Sequence, residues 1–124
     1  MVDSDGILHG TYHWCTNETC GEPQHLQHAG EKVLPADWSS AWHEYAVEYN
    51  GDGGKFNDVV WAFDGVVYSN VTTATPHALF WDAPRYIILN TAIGDGTSWP
   101  KPTDENTILP VHHYVDYVRV SQTT

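Results

Sequence analysis

Short runs in which every second residue is apolar, each closed by a turn signal, constrain this chain more than any other feature. Val59, Trp61 and Phe63 alternate with Val60 and Ala62 and run into Asp64-Gly65, a dipeptide suited to the positive φ angles of a two-residue hairpin turn. Val66 to Ser69 reads as the returning strand. Ile7 to Trp14 reads as another strand, and Tyr45, Val47 and Tyr49 alternate against Glu44, Ala46 and Glu48 in a further one. Tyr86 to Thr91 is a nearly unbroken apolar run, the pattern of a strand buried on both faces, and Tyr114 to Val120 reads as a closing strand. No stretch sustains the three-and-four spacing of a helix, so the expected class is all-β and antiparallel. Gly21 to Ser40 and Gly94 to Pro110, rich in turn-forming residues and without a period, read as long surface loops.

A chain of 124 residues supports one core. Its formal charge of -11 excludes nucleic acid and an anionic membrane as partners, because five basic residues cannot neutralise a phosphate array. Protonating all eight histidines would move that charge towards -3, which lowers solubility in mild acid. Six Trp and seven Tyr suit either a ring-rich core or a hydroxyl-rich ligand, since such rings pack by a face and hydrogen-bond by an edge. No run approaches the ~20 apolar residues of a membrane span, and no apolar signal segment follows Met1.

Cys15 and Cys20 enclose four residues in a loop that also holds the acceptor sequon at Asn17, and Asn70-Val71-Thr72 is a second sequon. Together they point to an oxidising, glycosylating compartment, extracellular or secretory. A disulfide across so short a loop mainly fixes the shape of that loop. A secretory chain with no leader reads as a fragment.

The chemistry-bearing side chains do not converge in any simple pattern. Glycoside hydrolysis needs two carboxyl groups about 5 to 5.5 Å apart for retention and about 6.5 to 9.5 Å for inversion. Glu44 and Glu48 lie four residues apart on a predicted strand, which at about 3.3 Å per residue separates their backbones by ~13 Å. Asp3 and Asp5 lie in a segment of turn composition. His9 and His13 are again ~13 Å apart along a strand. His25 and His28, in the first long loop, could share an ion, but no zinc-finger spacing surrounds Cys15 and Cys20. Neither a nucleophile elbow nor a phosphate-binding glycine loop is present.

In order along the chain, His9-Gly10-Thr11-Tyr12-His13-Trp14, Trp42 to Tyr49 and Phe63-Asp64-Gly65 resemble consecutive strands of glycoside hydrolase family 16, especially its laminarinase-like members. Pro84 to Gly94, Trp99-Pro100 and Val115 to Val120 resemble later landmarks of that family, in the same order. The resemblance spans nearly all of residues 1–124 and implies the C-terminal part of a concanavalin-like jelly-roll sandwich whose N-terminal half is missing. It implies a retaining endo-β-glucanase acting on β-1,3 or mixed β-1,3/1,4 glucans. The family's two catalytic glutamates stand in a Glu-x-Asp-x-x-Glu strand, and no such pattern occurs in these 124 residues. The chain alone is therefore expected to be inactive.

By the same resemblance His13, Asn90 and Trp99 are expected at a β-glucan cleft, and Asp116 at a structural calcium on the far side. No cofactor is implied for catalysis. The alternative is a non-catalytic, lectin-like β-glucan binder. Loss of half a sandwich is also expected to leave strand edges unpaired and an apolar face wet.

Overall fold

A computed structural model describes residues 1–2, 5–16, 25–52, 55–81, 84–96 and 102–122. The chain divides into two units, Met1–Arg85 and Tyr86–Thr124. Regular structure among the described residues lies in the first unit: β1 (Ile7–Cys15), β2 (His25–Val33), β3 (Tyr45–Asp52), β4 (Lys55–Phe63) and β5 (Val66–Thr72), with one 3-10 turn at Trp38–Ser40. They form two small antiparallel sheets, β1-β2 and β3-β4-β5, neither of them closed.

Alternation decides which side chains enter the core. On β1, Leu8, Tyr12 and Trp14 are buried while Thr11 and His13 between them turn outward, as a period of two requires. On β4 and β5, Val59, Trp61, Phe63 and Val71 are buried, and Val59 and Val71 are fully enclosed at 0 % exposure. The two sheets meet across these residues. Tyr12 and Trp14 of β1 join Val59, Trp61 and Val71 in one apolar cluster, and Leu8, Leu34 and Phe63 form a second. Burying each Val or Leu side chain contributes roughly 1.5–3 kcal/mol.

A glycine pair lets the sheets approach. Gly10 and Gly30 are register partners. A Cβ on Gly10 would stand 2.8 Å from the Trp61 ring and 3.0 Å from the Tyr68 hydroxyl. A Cβ on Gly30 would run into the Ser69 side chain. Ser69 fills this notch and donates its hydroxyl to the Gly10 carbonyl at 3.3 Å. The β4–β5 hairpin turns at Asp64 (φ 49) and Gly65 (φ 75), the left-handed geometry that Asp-Gly predicts. Beyond β5, the Tyr12 hydroxyl donates to the Leu79 carbonyl at 3.0 Å and the Tyr12 and Phe80 rings stack at 5.4 Å, so the chain after β5 closes over the core edge.

Three sequence expectations are corrected. Within the predicted loop Gly21 to Ser40, residues His25–Val33 form β2, because β1 supplies a partner along its whole length. In the second unit, the predicted strands Tyr86 to Thr91 and Tyr114 to Val120 have no regular structure, and their apolar side chains are exposed, Tyr86 at 84 % and Ile88 at 66 %. An apolar run becomes a strand only with a ladder partner, and none pairs with these runs among the described residues. Contacts in this unit are made by side chains and turns, and the Thr91 Oγ1 and His113 Nδ1 atoms lie 3.5 Å apart. Asp104 accepts from the Asn106 amide at 2.9 Å and the Thr107 hydroxyl at 3.1 Å, and the Leu109-Pro110 peptide is cis.

Candidate functional site

The polar groups best placed for chemistry lie on the outer face of the β1-β2 sheet. Antiparallel register sets Cys15 opposite His25 and His13 opposite Gln27, so His13 and His25 are diagonal neighbours. The His13 Nδ1 and His25 Nε2 atoms lie 2.9 Å apart, and the rings stack with centroids 5.0 Å apart. Burial, then the neighbouring His25, holds the His13 pKa below its ordinary value. Further along the same face His9 meets its register partner Glu31 at 3.4 Å. His13 is itself exposed.

A second cluster sits where β3 begins and the β4–β5 turn closes. Asp64 accepts from the Glu44 amide at 2.9 Å through Oδ1, and its Oδ2 lies 2.8 Å from His43 Nδ1. Chiefly the Glu44 amide, and next His43, hold the Asp64 carboxyl below its ordinary pKa. His43 lies against the Phe63 ring at 4.8 Å, and its Nε2 is buried without a hydrogen-bond partner. The pair orients one imidazole and locks a turn. It has no nucleophile beside it among the described contacts, so it reads as a clasp.

Rings are left open to solvent beside these groups. Tyr45, Val47 and Tyr49 project from β3 on the face that carries Phe63, Trp61 and Val59 of β4, yet Tyr45 remains 51 % exposed. The β1-β2 sheet packs on β5, leaving β3 at an uncovered margin. Trp42 and Trp81 are exposed too. The Arg85 guanidinium covers Tyr49 at 4.6 Å and Phe56 at 4.9 Å.

The residues singled out from sequence are not gathered at one place. His13 belongs to the first unit, whereas Asn90 and Asp116 belong to the second and are both exposed. Trp99, Cys20 and Asn17 lie outside the described residues, and Cys15 ends β1. Asn70 is exposed on β5. Glu44 and Glu48 are exposed as well. A calcium ion takes about 6 to 8 oxygens. Asp116 brings one carboxylate, and among the described residues no three His, Cys, Asp or Glu side chains converge. No helix among the described residues is long and apolar enough to cross a membrane.

Sequence reading missed both histidine pairings for one reason, the absence of a register. Paired positions in β3-β4 sum to 108 over Tyr45↔Phe63 to Asn50↔Asp58, which places Glu44 beside Asp64. The signal was present in the alternation of two strands flanking one turn. Compared with known proteins, the chain matches no family model, no curated protein and no solved structure.

Proposed function

We propose that the chain is the C-terminal part of a jelly-roll β-sandwich of the glycoside hydrolase family 16 type, holding part of a cleft for β-1,3 or mixed β-1,3/1,4 glucan. The observation that carries the reading is the exposure of the Trp42 and Tyr45 rings at the β3 margin, within one of the segments that resemble that family. Flat amphipathic rings stack on sugar faces while their edges bond hydroxyls. Two packed antiparallel sheets, and strand-like runs in residues 86–91 and 114–120 that join neither sheet among the described residues, support it further. No Glu-x-Asp-x-x-Glu strand lies in the chain, so it binds and does not cleave. Exposure of Asn70 fits a glycosylated, secreted protein.

The same rings favour a second reading, a lectin-like glucan binder with no catalytic role. Titrating the purified chain with laminarin, followed by tryptophan fluorescence and by release of reducing ends, tests what the two share. Binding without hydrolysis is expected. A folded sample that binds neither laminarin nor a mixed-linkage glucan sinks both. Expressing the chain together with whatever its transcript encodes ahead of Met1 separates them, because laminarin cleavage then marks the enzyme and binding alone the lectin.

A further inference from the structure

We infer that the outer edge of β3 is a self-association site, to which β3 of a second copy of this chain adds antiparallel, with two-fold symmetry about Val47. The Asp64 amide donates to the Glu44 carbonyl at 2.9 Å, so Glu44 stands at a hydrogen-bonded position of the ladder between β3 and β4. Such positions alternate. Ala46, Glu48 and Asn50 therefore bond towards β4, while Tyr45, Val47 and Tyr49 aim their N–H and C=O groups away from it. β3 ends the order β3-β4-β5, and among the described residues no strand pairs with its outer side. The other outer strands are guarded: β1 is met by the bridge between Val2 and Leu8, β2 carries Glu31 and Lys32, and β5 lies against β2. From Tyr45 to Asn50, β3 has no Lys, Pro or bulge, the devices that block such an edge, and Glu48 is its one charge.

This edge is complementary to itself, and its charges select the register. Centred on Val47, Tyr45 faces Tyr49 of the second copy, Val47 faces Val47 of the second copy, and Tyr49 faces Tyr45 of the second copy. These side chains share the face on which Tyr45 is 51 %, Val47 50 % and Tyr49 41 % exposed, so pairing covers apolar area that the β1-β2 sheet leaves open. Aromatic and β-branched pairs directly opposite one another stabilise a ladder, and like charges directly opposite destabilise it. On the other face Glu48 meets Ala46 of the second copy and Glu44 meets Asn50 of the second copy, so no carboxylate opposes another. The neighbouring registers lack this property. One sets Glu48 against Glu48 of the second copy, and the other sets Glu44 against Glu48 of the second copy. A two-fold seam closes on itself, giving a dimer rather than a fibre. The net charge of -11 on each copy opposes the contact, and salt relieves that opposition.

The test uses the full chain at neutral pH and about 0.15 M salt. Sedimentation equilibrium from micromolar to millimolar concentration should show a monomer in equilibrium with a dimer. Val47→Lys sets two ammonium groups opposite each other and should weaken the dimer about tenfold or more. Ala46→Lys places a cation opposite Glu48 of the second copy, twice per seam, and should tighten the dimer about two- to tenfold. Ala46→Glu should loosen it by about the same factor. In a mixture of isotope-labelled and unlabelled copies, nuclear Overhauser contacts should join Tyr45 of one copy to Tyr49 of the other. Within one chain these residues lie ~13 Å apart along β3, too far to give that signal. A monomer at every concentration, association unmoved by Val47→Lys, or Ala46→Lys and Ala46→Glu acting in the same direction overturns the inference. Should a variant unfold, the native chain decides, because the absence of contacts between copies from Tyr45 to Tyr49 overturns it alone.

Discussion

Single residues hold the two-sheet unit together, and the most exposed of them to test is Asp64. Its carboxylate accepts the Glu44 amide and faces His43 from a left-handed backbone position that Asn also tolerates. Asp64→Asn therefore keeps the turn, removes the charge and leaves one acceptor oxygen for the Glu44 amide. Because the folded-state pKa of Asp64 is lowered, its contribution is fully present above the unfolded value of about 3.9 and is lost as pH falls through the folded value. Urea unfolding should show Asp64→Asn less stable than the native chain at neutral pH, with the gap closing in strong acid. A gap that persists unchanged there would mean the charge is irrelevant. The glycine notch gives a second prediction. Gly30→Ala places a methyl group on Ser69, close to its backbone, and overpacking of this kind costs about 1–3 kcal/mol. The urea midpoint should fall, and pairing the change with Ser69→Gly should recover part of the loss by opening space.

Elements were legible in the sequence wherever alternation coincided with a partner in the same unit. β1, β3 and the β4–β5 hairpin were found because their apolar faces are written out as Leu8, Tyr12, Trp14, then Tyr45, Val47, Tyr49, then Val59, Trp61, Phe63. β2 was missed because the positions that pair with Trp14, Tyr12, Gly10 and Leu8 are Leu26, His28, Gly30 and Lys32, with one large apolar residue and a glycine whose value lies in having no side chain. With β2 unread, His25 could not be set beside His13, so their hydrogen bond was not legible. His43 and Asp64 stayed apart for want of a register. Tyr86 to Thr91 and Tyr114 to Val120 fail in the opposite sense, since amphipathic pattern records which face would be buried and not whether a ladder exists to bury it. The outer edge of β3 shows the consequence. Among the described residues no strand pairs with it, and it lies beside half-exposed Tyr45, Val47 and Tyr49, the kind of edge that pairs with other chains. Val47→Lys should raise the soluble fraction after concentration without lowering the unfolding free energy by more than about 1 kcal/mol, since the side chain is half in water already.

At the scale of the whole molecule the apolar surface of the second unit is decisive, because Tyr86 to Leu89, Ile108, Leu109, Val111, Tyr114, Val115, Tyr117, Val118 and Val120 all stand exposed. Surface of that kind is a contact site or an aggregation liability. At neutral pH the charge of -11 opposes association by mutual repulsion. Acidification withdraws that protection, since protonating eight histidines brings the charge towards -3 and the sequence pI is about 4.8. Sedimentation velocity should therefore show association that grows with protein concentration, and grows further as pH falls from 7 towards 5 at constant ionic strength. Raising salt at neutral pH should act in the same direction by screening the repulsion, with a Debye length near 10 Å at 0.1 M. Hydrogen exchange should locate the exposed surface, with fast exchange through residues 86–96 and 102–122 and slow exchange along the central strand Lys55–Phe63. A species that sediments as a monomer at every concentration and pH, with protected amides in residues 114–120, would show that these runs have found ladder partners within the chain and that no outside surface is needed to cover them.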